Sequence, residues 1–159
     1  MDDSEIENYW IRARSQSRLT QLPGYLPQNM VEMVLPPAWS FGGTPEQADE
    51  LLALVLDGRK TATVSALRDY DGAEALPQVG ALGIVLDGAG HPRALLETTE
   101  VSVVPFDQVP AEHALAEGEG DGSLASWRET QERFFAACEG GFAPDMPVVL
   151  ERFRVLHRA

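Results

Sequence analysis

Gly58-Arg59-Lys60-Thr61-Ala62-Thr63-Val64-Ser65 ends an apolar helical stretch with a glycine and two cations, then passes into a short β-prone segment. Residues two apart in a strand share a face. Thr61, Thr63 and Ser65 therefore line one side, and Ala62 and Val64 the other. Lys60 stands at the strand entrance, beside that hydroxyl row. A lysine among hydroxyls supports nucleophilic chemistry when burial favours its neutral form. The plain alternative is a helix-to-strand turn that carries its glycine and cations for conformational reasons.

Immediately upstream, Thr44-Pro45-Glu46-Gln47 has a capping threonine, proline at the first helical position and glutamine at the third. Ala48, Leu51, Leu52, Val55 and Leu56 form an apolar stripe, and Gly58 ends it. This helix delivers Lys60 to a fixed place. Before it, Trp39-Ser40-Phe41-Gly42 offers two aromatics beside a glycine. They suit either stacking on a nucleobase or closing the helix entry against the core.

Downstream, a loop rich in Asp, Gly and Pro follows Tyr70 and leads to a strand over Ala81–Leu86. Asp87-Gly88-Ala89-Gly90 is a turn signal and Arg93–Val104 a long strand, so the two read as a β-hairpin. One face of the long strand carries Leu95, Glu97, Thr99, Val101 and Val103. A carboxylate among those neighbours is costly to bury without a partner. Lys60 is the natural candidate, and the alternative is a Glu97 that reaches water. A short helix over 106–116, a glycine break, a helix capped by Ser123 or Asp121 and reaching Ala137, and a strand over Met146–Leu156 complete the chain. Leu124, Trp127, Phe134, Phe135 and Cys138 mark the apolar face of that last helix.

At the other end, Ser4-Glu5-Ile6-Glu7 has capping-box spacing, and Ile6, Tyr9, Trp10 and Ala13 recur at helical period, predicting a helix to about Leu19. Arg12, Arg14 and Arg18 on it suit solvent or RNA. Pro23, Pro27, Pro36 and Pro37 punctuate an irregular connector. The expected division is 1–38, helix and proline-rich connector, and 39–159, the main domain. Overall this is an α+β chain with one mainly antiparallel, curled sheet.

The 159 residues suffice for one ordinary core. No apolar run approaches the roughly 20 residues that span a bilayer, and the acidic N-terminus lacks a signal peptide's basic region. Cys138, the single cysteine, fits a reducing cytoplasm. With 12 Lys+Arg against 25 Asp+Glu, the net charge of −13 repels polyanions, so duplex DNA is not an expected partner. A small ligand is easier to accommodate, unless Arg59, Lys60, Arg68 and Arg93 gather locally. His91, His113 and His157 are far apart and no metal-ligand spacing occurs, so neither a metal nor a cofactor is expected. Glu117-Gly118-Glu119-Gly120-Asp121 has the composition of a Mg²⁺ loop but reads better as a solvated, helix-capping one.

Together, Phe41-Gly42, the Gly58-Arg59-Lys60-Thr61-x-Thr63 turn, Leu96-Glu97-Thr98, Gly118-Glu119-Gly120-Asp121 with Ser123-Leu124 and Trp127, and Glu151-Arg152-Phe153 resemble the ASCH domain family. The resemblance covers about Trp39 to Arg158. It implies a PUA-like fold, a small β-barrel with flanking helices, here with an N-terminal helical extension. The YqfB-type members are amidohydrolases of N4-acetylcytidine that use a lysine, a threonine three residues on and a strand glutamate. Position by position these resemble Lys60, Thr63 and Glu97. Ser65 stands where that subgroup usually has arginine. Other members are ribonucleases on single-stranded RNA, and PUA-like folds also serve as non-catalytic readers. Candidate substrate contacts are Trp39, Phe41, Arg59, Thr61, Ser65, Arg68, Tyr70 and Ser123. The expected partner is a small nucleoside or single-stranded RNA, and a homodimer through the N-terminal helix or connector is left open.

Overall fold

The computed structural model describes residues 2–16, 35–72 and 75–159. The elements are α1 (Asp3–Gln16), β1 (Ala38–Trp39), α2 (Pro45–Leu56), β2 (Ala62–Ala66), β3 (Leu82–Leu86), β4 (Pro92–Pro105), α3 (Ala111–Glu117), α4 (Leu124–Ala137) and β5 (Pro147–Arg158). Single 3₁₀ turns over Leu67–Asp69 and Phe106–Gln108 follow β2 and β4. The expected α+β class is observed. The strand order is β1-β3-β4-β5-β2, with β1 and β2 at its ends. Pairing is antiparallel for β2 with β5 and β3 with β4, and parallel for β1 with β3. β1 has no counterpart in the sequence reading, because two residues are too few to show a period.

The chain divides into two compact units. One comprises Met1–Leu56, Gly80–Glu97 and Arg154–Ala159, the other Asp57–Val79 and Thr98–Phe153. In the first, Ile6, Tyr9, Trp10 and Ala13 of α1 pack in one cluster with Ile84, Leu86 and Leu95 of the hairpin. Tyr9 also donates its hydroxyl to the His157 carbonyl at 3.4 Å. α1 is thus part of this unit's core. Its cap differs from the expected Ser4: Asp2 Oδ1 accepts from the Ser4 amide at 3.1 Å, because a carboxylate is the stronger acceptor at a helix start. The predicted continuation to Leu19, and Arg18, Pro23 and Pro27, lie outside the described residues.

α2 begins as its sequence dictates. Thr44 Oγ1 accepts from the Gln47 amide at 3.1 Å, and Gln47 Oε1 accepts from the Gly43 amide at 2.8 Å. The β3–β4 turn is tied by Asp87 Oδ1, which accepts from the Ala89 and His91 amides at 3.0 Å each. Ala94, Leu95 and Leu96 are all buried, so the first half of β4 is covered on both faces.

In the second unit, Phe106, Trp127, Phe135, Met146, Val148 and Leu150 form the core. Phe106 stacks on Trp127 with ring centroids 5.1 Å apart. α4 runs over the span expected from sequence, capped by Ser123 Oγ accepting from the Ser126 amide at 3.1 Å. Phe134 departs from the expected apolar face and is 49% exposed. Phe135 takes the inward position, and the next helical residue lies about a quarter-turn away. β2 pairs with β5 from Ala62↔Arg152 to Ala66↔Val148, which fixes what faces the Lys60–Ser65 segment.

Candidate active site

The segment before β2 is held from both sides. The Thr61 amide donates to the Ala116 carbonyl at 2.7 Å, and the Phe153 amide donates to the Thr61 carbonyl at 3.1 Å. Thr61 Oγ1 adds a bond to the Ala116 carbonyl at 3.3 Å. α3 then ends at Gly118, whose φ of 70° is left-handed. A Cβ there would lie 2.4 Å from the Arg59 carbonyl oxygen, so glycine lets the two backbones approach.

This close approach brings the end of α3 to Lys60. The lysine side chain is only 2% exposed, and Nζ lies 3.7 Å from Glu117 Oε1, which belongs to a side chain equally buried. Nζ also donates to the Ala62 carbonyl at 2.9 Å and sits 3.5 Å from Glu119 Oε2. The other Glu117 oxygen, Oε2, accepts from Trp127 Nε1 at 2.5 Å and lies 2.8 Å from His113 Nε2. Two rings therefore orient Glu117 and turn Oε1 toward the lysine. Glu119 is at the rim, with 28% of its side chain exposed. Burial, opposed by Lys60 and aided by the Glu117 charge, pushes its pKa above the usual carboxylate range. The expected solvated loop is thus corrected at Glu117, which the approach at Gly118 carries inside.

A second group lies along β2 and β5. Thr63 faces Glu151 directly in the register. Glu151 Oε1 accepts from Thr98 Oγ1 at 2.7 Å, and burial raises the Glu151 pKa against that bond. Ser65 Oγ and Tyr70 Oη are 2.6 Å apart. Burial raises the Tyr70 pKa, with Ser65 opposing and the Glu151 and Asp69 charges adding to the rise.

The other sequence candidates fall as follows. Ser123 is committed to its helix cap, and Arg59 is an exposed partner of Asp57 at 3.1 Å. Arg68 is exposed, its guanidinium over Gly140, where a Cβ would lie 2.9 Å from Cζ. In the other unit, Phe41 is buried, and half-buried Trp39 meets it edge-on at 4.6 Å. Glu97 Oε2 accepts from Arg154 Nη2 at 3.1 Å. Among the described residues no group of His, Cys, Asp and Glu has the makings of a metal site.

Sequence reasoning did not single out His113, Glu117, Trp127 or Glu151 as a set. Two signals were available. His113 and Glu117 are four apart on one helix, a spacing that puts side chains in contact. Glu151 directly follows the apolar run Val148-Val149-Leu150 within the predicted strand.

The ASCH domain family matches residues 37–157. Protein EF3133 from Enterococcus faecalis V583 is 33% identical, with a TM-score of 0.80 over 97% of this chain and 89% of its own. An ASCH domain from Lactobacillus crispatus JV V101 is 30% identical, also with a TM-score of 0.80, over 98% and 96%. Hypothetical protein PH0355, at 16% identity and a TM-score of 0.51 over 74% of this chain and 98% of its own, shares the fold. No curated protein matches. A match over most of the chain, with two structural relatives aligned nearly end to end, places this protein in the ASCH domain family.

Proposed function

We propose that the protein is a metal-independent amidohydrolase of an N-acylated cytidine or a related modified nucleoside, with Lys60 and Thr63 at its centre. One observation carries the reading: Lys60 and Glu117 form an ion pair in which each side chain is 2% exposed. Removing two charges from water costs more than their attraction usually returns. A buried lysine among carboxylates, oriented by two rings, is therefore a candidate for chemistry more than for stability.

In this scheme the Thr63 hydroxyl attacks the acyl carbon. A threonine needs a base for this. Lys60 serves once its own proton has passed to a neighbouring carboxylate. Glu119, whose pKa burial raises, suits that acceptor role, and Glu117 holds the amine in place. The family resemblance gives the acid's part to Glu97, so both carboxylates belong in the test.

Purified protein incubated with N4-acetylcytidine in EDTA is expected to release cytidine, read by chromatography. Lys60→Ala and Thr63→Ala should each lower kcat about 10²–10⁴-fold. Glu117→Gln and Glu97→Gln assign the third role by which loses more. No cytidine at any enzyme concentration rejects the amidohydrolase. Cleavage of a labelled single-stranded RNA that Lys60→Ala abolishes would install the ribonuclease in its place, and binding without turnover would make the protein a reader.

A further inference from the structure

Glu151 is a half-buried carboxyl with an incomplete set of partners. Glu97, Glu100, Glu117 and Glu119 each pair with a cation. Among the described residues Glu151 pairs with none; Thr98 Oγ1, at 2.7 Å, holds only its Oε1. Glu151 Oε2 has no hydrogen-bond partner among the described residues. Thr63 stands directly across the strand pair. Facing residues in such a pair have Cβ atoms about 4.5–5.5 Å apart on one side of the sheet. The Thr63 hydroxyl has no hydrogen-bond partner among the described residues. Tyr70, whose hydroxyl is engaged with Ser65, is an ionisable neighbour on this side; Arg152, next along β5, pairs with Glu100 at 3.7 Å.

We propose that Glu151 is a second acid–base residue of the hydrolase site: Oε2 contacts the scissile amide nitrogen and delivers a proton to the departing amine. The proposal rests on the hydrolase reading above. The Thr63 Oγ–acyl bond forms as the acyl C–N bond breaks. The hydroxyl proton goes to the Lys60 amine after that amine has handed its own proton to Glu119, and the Glu151 proton goes to the nitrogen. Water then attacks the threonyl ester and gives a proton to the Glu151 carboxylate. The Lys60 proton returns to Thr63 Oγ as the acid leaves. The sum is amide plus water to amine plus acid, with Thr63, Lys60 and Glu151 all restored. Burial without a counter-cation is the environment that keeps such a carboxyl protonated more often.

The test uses the full chain and two acetyl substrates, N4-acetylcytidine and a nitrophenyl acetate whose leaving group needs no proton. Glu151→Gln keeps the side-chain volume and an acceptor for Thr98. It should lower kcat on the amide about 10²-fold while changing the ester rate by less than about threefold. Glu151→Asp should recover part of the amide rate. Equal losses on both substrates, an unimpaired amide rate, or an Asp variant no better than Gln would each overturn the proposal. Should Glu151→Gln fail to fold, the Asp variant decides, with an amide-selective loss expected and a uniform one overturning. If the wild type turns over both substrates through Thr63 but Glu151→Gln is unimpaired, only this proposal falls. If the wild type does not hydrolyse the amide, the hydrolase reading fails and takes this one with it.

Discussion

Lys60 and Glu117 show what one buried pair implies for a single substitution. Lys60→Met leaves a carboxylate deep in the second unit without its cation, which should cost about 3–5 kcal/mol in urea unfolding. Adding Glu117→Gln should restore much of that, since the stranded charge is gone. Activity should stay absent in both. Glu151 behaves in the opposite sense. Its folded pKa is raised, so between the ordinary carboxylate range and that raised value the folded state binds more protons than the unfolded one. Its stabilising contribution is therefore present at low pH and declines as pH rises through that window. Stability curves at several pH values should show Glu151→Gln losing less than the wild type on going from pH 4 to pH 8. A steeper decline in the variant would contradict the assignment. These partnerships were only partly legible in the sequence. His113 and Glu117 follow helical spacing, but nothing local says that Glu117, followed by glycine, turns inward.

At the scale of elements, the approach of α3 to the β2 entrance rests on Gly118. Alanine there must adopt φ of +70° and place a Cβ 2.4 Å from the Arg59 carbonyl. Gly118→Ala should destabilise the protein by more than about 2 kcal/mol and remove activity by displacing Lys60 from Glu117. Thr44→Ala, which deletes the α2 cap, should cost about 1 kcal/mol and leave kcat unchanged. A comparable loss of activity in both would mean that stability alone sets the rate. Caps, the hairpin turn and the span of α4 were readable because each is decided by bonds within a few residues. β1 was not, since its two residues take their pairing from β3.

Across the whole molecule, the −13 net charge separates small ligands from polyanions. Single-stranded RNA affinity should be weak and fall steeply as salt rises from 50 to 200 mM. Turnover of an uncharged nucleoside should hold nearly constant over the same range. A salt-insensitive, tight RNA complex would instead point to a local basic surface. Among the described residues no helix is long and apolar enough to cross a membrane. By itself the sequence determined the α+β class, the order of its helices and hairpin, and the lysine turn, because periodicity, capping and turn chemistry act over short stretches of chain. Only the tertiary structure decided which carboxylates surround Lys60 and which one stands across from Thr63. Those partners lie far apart along the chain, and β2–β5 register and the close approach at Gly118 are what bring them together.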